Sequence, residues 1–334
     1  MILRWIGLGT VLISFGLGWA WMAYESAIDS AINTEQPVNF EINKGDSLKR
    51  VVTNLVSKDV LTKPFYFNVL VRFENAAGRL KAGMYRVLPG MTLRQLLAMI
   101  IQGKERQFSL VFIEGWTFDR ILKVLSETPQ LTQTLNDKSP EDIMELIGVG
   151  KQHAEGRFFP DTYFFTKGTT DLQILKRAYY KMEQALNLEW ENRADGLPLR
   201  TPFEALILAS IVEKETAQAD ERPIIAGVFT RRLQKSMLLQ TDPTVIYGMG
   251  KHFNGNLRRK DLRADTPYNT YRRKGLPPTP IAMPGADSIY AALHPKKGNS
   301  LYFVARGDGN HVFSSTLKDH NRAVALFQKK KKRR

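Results

Sequence analysis

Between Ile6 and Tyr24 lie nineteen residues without a charge, and this run constrains the chain more than any other feature. As a helix rising 1.5 Å per residue it spans about 28 Å, close to the hydrocarbon thickness of a bilayer. Trp5, Trp19, Trp21 and Tyr24 stand near its ends, where amphipathic rings favour the membrane–water interface. Arg4 precedes the run, and Glu25 and Asp29 follow it. The cytoplasmic bias of basic residues then puts residues 1–5 in the cytoplasm and the bulk of the chain outside. The rival is a cleaved signal peptide, with a shorter apolar stretch and a small-residue cleavage site; Ala27 and Ala31 make a poor one. The expectation is a single uncleaved membrane anchor over 6–24. A polar linker over 25–37 and a soluble extracytoplasmic remainder follow it.

The chain as a whole has an ordinary folding composition, 43% apolar and 24% charged. Cysteine is absent, which excludes disulfides, thiolate zinc sites and a thiol nucleophile. The net charge of +15 invites a nucleic-acid reading, but its distribution does not support one. The stretch from Lys318 to the end contributes +7, leaving +8 over the other 317 residues. The run 329–334 is a basic tail, either solvated or touching an anionic surface such as wall polymer or lipid headgroups. No zinc-finger spacing and no basic–aromatic RNA signature is visible, so no nucleic-acid partner is expected. His153, His252, His294, His311 and His320 show no helical metal spacing. Neither a metal nor another cofactor is expected.

A short pattern recurs three times: Ile42-Asn-Lys-Gly45-Asp-Ser47-Leu48, Val87-Leu-Pro-Gly90-Met-Thr92-Leu93 and Phe112-Ile-Glu-Gly115-Trp-Thr117-Phe118. Each is followed by apolar residues at helical offsets: Val51, Val52 and Leu55; Leu96, Leu97 and Ile100; Ile121, Leu122 and Leu125. The pattern predicts a strand end, a glycine turn, a hydroxyl N-cap and an amphipathic helix. It resembles the LysM wall-binding module, and it is equally a common capped strand–helix unit. A LysM-like α+β region is expected over 38–128. Residues 129–200 read as mostly helical, with Phe158, Phe159, Phe164 and Phe165 as core candidates. Within that stretch Glu155 and Asp161 are secondary candidates, Asp161 as a turn residue or as cleft lining.

Pro202 to Ala217 carries the chemistry. Ala205 to Val212 is apolar on nearly every face apart from Ser210, the mark of a buried helix. Glu213 and Glu215 emerge at its far end. Two residues apart on a helix they point about 200° away from each other, so only one faces a given cleft. Burial raises a carboxyl pKa, and a helix C-terminus adds to this if the helix stops there. A carboxyl held protonated near neutrality suits protonation of a glycosidic oxygen. Downstream, the segments 237–250, 266–271 and 275–285 are dense in Pro, Gly and polar groups. These form rigid loops of the kind that carry binding residues.

Ile211-Val-Glu213-Lys-Glu215-Thr216, Leu239-Gln-Thr-Asp242-Pro-Thr-Val-Ile-Tyr247-Gly, Tyr268-Asn-Thr-Tyr271, Gly275-Leu-Pro-Pro278 and Pro284-Gly-Ala-Asp287-Ser together resemble the endolytic murein transglycosylases, the YceG-like family. Phe159-Pro-Asp-Thr-Tyr163 belongs to the same resemblance, which covers essentially the whole chain. It implies an α+β fold: an N-terminal transmembrane helix, the LysM-like region and a mixed α+β catalytic domain over 129–328. It also implies a lyase that cuts the β-1,4 bond between N-acetylmuramic acid and N-acetylglucosamine, leaving 1,6-anhydro ends. The family's catalytic glutamate falls on Glu215. Gln240, Asp242, Tyr247, Asn269 and Tyr271 are the expected substrate-cleft residues. The implied partners are peptidoglycan strands, the inner membrane and peptidoglycan polymerases. The rival function classes are a non-catalytic wall-binding scaffold and a membrane-tethered nucleic-acid binder.

Overall fold

The structure is a computed structural model that describes residues 2–329. Met1 and residues 330–334, with them most of the expected basic tail, lie outside the described residues. Two compact units emerge: residues 1–108 with 164–168, and residues 109–163 with 169–334.

The first unit begins with helix α1 (Ile2–Asp29), whose stretch from Trp5 to Asp29 is long and apolar enough to cross a membrane. Where the sequence suggests a linker from residue 25, the helix runs on to Asp29. The cause is packing: Ile28 and Ile32 are buried in the unit's core, and Arg94 pairs with both Glu25 and Asp29. Strand β1 (Val38–Ile42), helices α2 (Leu48–Ser57) and α3 (Pro64–Phe73), strand β2 (Gly83–Val87) and helix α4 (Leu93–Gln102) complete it. β1 and β2 pair antiparallel, from Val38 opposite Val87 to Ile42 opposite Gly83. The first two repeats fold as their pattern requires. Gly45 and Gly90 take φ of 89° and 84°, values that a side chain resists. The Ser47 hydroxyl caps α2, and Thr92 forms a capping box with Gln95 on α4. Val51, Val52, Leu55, Leu96, Leu97 and Ile100 all enter the core.

The third repeat, Phe112 to Phe118, belongs to the second unit. Strand β3 (Phe108–Val111) leads into its turn and helix α5 (Phe118–Ser126). Gly115 donates its N–H to the Met283 carbonyl at 2.8 Å, and Met283 donates to Trp116 at 2.7 Å. These long-range bonds hold the turn within the second unit. Helix α6 (Pro140–Ile147), the start of strand β4 (Thr162–Phe165), which pairs with β3, and helix α7 (Asp171–Glu191) come next, residues 164–168 being counted with the first unit. Then follow α8 (Pro202–Glu215), α9 (Arg222–Gln234), α10 (Asp242–Met249), α11 (Arg259–Arg263) and α12 (Ala286–Leu293). A hairpin of β5 (Tyr302–Ala305) and β6 (His311–Ser314) and helix α13 (Leu317–Val324) close the second unit.

α8 is the centre of this unit. Ala205 through Val212 are all buried, and α7, α9, α10 and α12 pack around it. Its one buried hydroxyl is fully used: Ser210 donates to the Ile207 carbonyl and accepts from the Ile281 N–H. That satisfaction lets a polar group sit in an apolar core without an unpaired cost.

Candidate active site

α8 ends at Glu215, and Thr216 is already extended. The carbonyl end of the helix therefore meets the carboxylate. The two glutamates diverge. Glu213 accepts from the Gly285 N–H at 3.1 Å and the Ser288 hydroxyl at 2.7 Å, so it is consumed in tying α8 to the start of α12. Glu215 turns the other way, half-buried, and accepts a hydrogen bond from the Thr241 hydroxyl. It lines a cavity of about 410 Å³ walled by the 239–242 segment, Tyr271, the β5–β6 hairpin and α13. Burial pushes its carboxyl up to about 7; the Thr241 hydrogen bond opposes this, the Asp242 charge adds to it, and His311 and Arg232 oppose it. The group is thus poised to give and take a proton near neutral pH.

The chain around Gln240 and Thr241 is braced through Thr270. Gln240 N–H donates to the Thr270 carbonyl, Thr241 N–H to the Thr270 hydroxyl, and the Thr244 and Thr270 hydroxyls are 2.9 Å apart. Gln240 itself has a φ of 52°, a left-handed value that turns the chain at the cavity edge. Asp242 accepts from the Tyr271 hydroxyl. Gln240, Asp242 and Tyr271 thus stand together with Glu215 on one cavity.

Two of the expected cleft residues stand elsewhere. Asn269 is 0% exposed and does not line the cavity. Its amide donates to the carbonyls of Asp261, Leu262 and Ala264 and its oxygen accepts from the Tyr271 N–H. It shapes the loop that carries Thr270 and Tyr271. Tyr247 lies at the other end of α10, on a separate cavity of about 650 Å³ that also contains Glu155 and Phe118. There Glu155, 4% exposed, accepts from the Tyr247 hydroxyl at 3.1 Å and from the Phe118 N–H at 3.0 Å. Burial pushes its carboxyl up to about 7, against both hydrogen bonds. Gly156 holds the neighbouring backbone at φ 81°, where a Cβ would come within 2.4 Å of Pro280. Asp161 pairs with Lys181 and caps its own turn through the Thr162 N–H.

Several cavity groups were not singled out from the sequence. Arg232 is buried, donates to the carbonyls of Leu301, Leu238 and Leu239, and lies over the Tyr302 ring. Nothing in its helix marks it in advance. Thr241 lay inside a quoted motif, but its hydroxyl gave no local sign of a role. His311, held by Glu221 at 2.6 Å, was weighed only as a metal ligand. Among the described residues no three His, Asp or Glu gather in a way that would hold a metal ion.

Comparisons with known proteins agree with this architecture. The model of the YceG-like family matches residues 40–326. A protein named endolytic murein transglycosylase in Bacillus subtilis (strain 168) is 32% identical over 312 residues, covering 88% of this chain and 86% of its own length. One of the same name in Streptococcus pneumoniae (strain ATCC BAA-255 / R6) is 27% identical over 343 residues, covering 91% of this chain and 62% of its own length. A crystal structure of a YceG-like protein from Listeria monocytogenes superposes with a TM-score of 0.56 at 32% identity, covering 86% of this chain and 99% of that one. With the family model spanning nearly all of the chain beyond the apolar helix, and relatives alike along most of their length, this chain belongs to the YceG-like family.

Proposed function

We propose that this chain is an endolytic peptidoglycan lytic transglycosylase, anchored in the inner membrane by α1 with its N-terminus in the cytoplasm. The observation that carries the proposal is the Glu215 carboxyl, raised to about 7 at the wall of a cavity. The relatives' name, endolytic murein transglycosylase, supplies the substrate class.

In this reading Glu215 protonates the oxygen leaving C1 of N-acetylmuramic acid. The resulting carboxylate takes the proton of that sugar's 6-hydroxyl as it closes on C1, giving a 1,6-anhydro end. One carboxyl acts as acid and then as base, unlike the two-carboxylate scheme of most glycosidases. Asp242 also lies on the cavity, but its carboxylate already accepts the Tyr271 hydroxyl. Its role here is electrostatic, keeping Glu215 protonated and favouring positive charge at C1. Gln240 and Tyr271 are sugar contacts. The β1-α2-α3-β2 unit is the LysM-like glycan-binding part. The enzyme acts on nascent strands beside peptidoglycan polymerases and so limits strand length.

The test is digestion of intact glycan strands, with product sizing and mass spectrometry. Wild type yields internal cuts with anhydromuramyl ends, and folded E215Q yields none. Failure of wild type to cut any strand would leave a wall-binding scaffold. Loss of activity in E213Q with full activity in E215Q would move the catalytic role to Glu213.

A further inference from the structure

On helix α3, Phe67, Leu70 and Val71 face the core of the first unit. Phe65 and Phe73, toward the two ends of the helix, are instead 69% and 70% exposed, so protein covers the apolar side chains of α3 only in part.

The neighbours of Phe73 say what covers the rest. Its ring centre is 6.3 Å from that of Trp21, edge to face, and 5.8 Å from that of Tyr24. Trp21 and Tyr24 are the outermost aromatic residues of the apolar run, positions that belong at the headgroup level when α1 crosses a bilayer. Trp21 is itself 55% exposed. Phe73 therefore stands at the depth of the anchor's outer aromatic girdle although it belongs to the folded unit. Exposed Arg72 beside it suits the lipid phosphate level.

No swivel separates the two. Ile28 is 1% exposed, the Ile32 N–H donates to the Met91 carbonyl at 2.7 Å, and Arg94 reaches Asp29 at 2.9 Å and Glu25 at 3.0 Å. The surface ion pairs alone are weak. Joined to the buried isoleucines they make α1 and the rest of the unit one piece.

Resting on the anchor reading, we propose that Phe73 inserts into the lipid interface beside Trp21 and Tyr24. The first unit is thereby seated on the membrane surface at a fixed height instead of swinging on a tether. Because the chain has no cysteine, single cysteines at Ile13, Trp21 and Phe73 can each carry a nitroxide in the full chain. The chain is reconstituted in phosphatidylethanolamine–phosphatidylglycerol vesicles. Collision rates with oxygen and with a water-soluble nickel chelate then report depth. The expected result is a hydrocarbon signature at Ile13 and the same interfacial depth at Phe73 as at Trp21. A lipid signature at Ile13 with bulk-water accessibility at Phe73 overturns the seat and leaves the anchor. A water signature at Ile13 overturns the anchor reading and the seat with it.

Discussion

Burial pushes the Glu215 carboxyl up to about 7 from an ordinary 4.5, which links folding to its protonation. The folded state prefers the neutral acid. Its contribution to stability is therefore fully present below about 4.5 and is lost as pH rises through about 7. E215Q keeps the shape without the charge. It should match wild type in stability near pH 4 and exceed it near pH 8 by on the order of 1–3 kcal/mol, read by urea unfolding at the two pH values. In the proposed mechanism the acid form begins the reaction, so kcat/KM should fall as pH rises through about 7. Thr241 sharpens this prediction. Its hydroxyl hydrogen-bonds the carboxylate and favours the charged form. T241V should therefore move the alkaline limb of the pH–rate profile upward, by on the order of one unit. A limb that stays in place would mean that the hydroxyl does not touch the reacting group in solution.

At the scale of elements, the helix ends decide where the chemistry sits. Ser47 and Thr92 cap their helices as the repeated pattern requires, but Thr117 makes no side-chain cap. The Phe118 N–H is satisfied by Glu155 instead, a residue 37 positions away that also holds Tyr247 on α10. α10 begins beside Thr241, so Glu155 is a positioning residue at the far end of the same helix. E155A should cost about 1–3 kcal/mol of stability through the unpaired groups it leaves. E155Q, which retains an acceptor, should cost much less; equal losses in thermal unfolding would remove the capping role. The repeats and α8 were legible because strand, turn, cap and helix are local patterns, and because eight consecutive buried positions leave one interpretation. Side-chain direction in the loops was not. Asn269 and Tyr247 share motifs with Tyr271 and Asp242, yet one is turned inward to three carbonyls and the other toward Glu155. Such choices are made by partners distant in sequence. N269A should therefore destabilise the chain by about 1–3 kcal/mol through those stranded carbonyls, measured by denaturant unfolding.

For the whole molecule, the division at residue 108 separates the unit that carries α1 from the one that carries Glu215. The third repeat looks in sequence like a continuation of the first two, and only its hydrogen bonds to Met283 reveal where it belongs. The end of α1 is likewise part of a folded unit. A chain starting at residue 25 should be released from membranes and remain folded. One starting at residue 33 loses Ile28 and Ile32 from the core and should be less stable in the first unit by about 2–5 kcal/mol. Equal melting of the two truncations would show that α1 is merely tethered.

The central claim is that the Glu215 carboxyl moves a proton between two oxygens of the substrate while water stays out of the new bond. Digestion of glycan strands in oxygen-18 water tests it most directly. The account predicts anhydromuramyl ends carrying no heavy oxygen from wild type and no cleavage by folded E215Q. Labelled reducing ends, with Asp242 then the natural second carboxylate, or undiminished cleavage by E215Q, would contradict it.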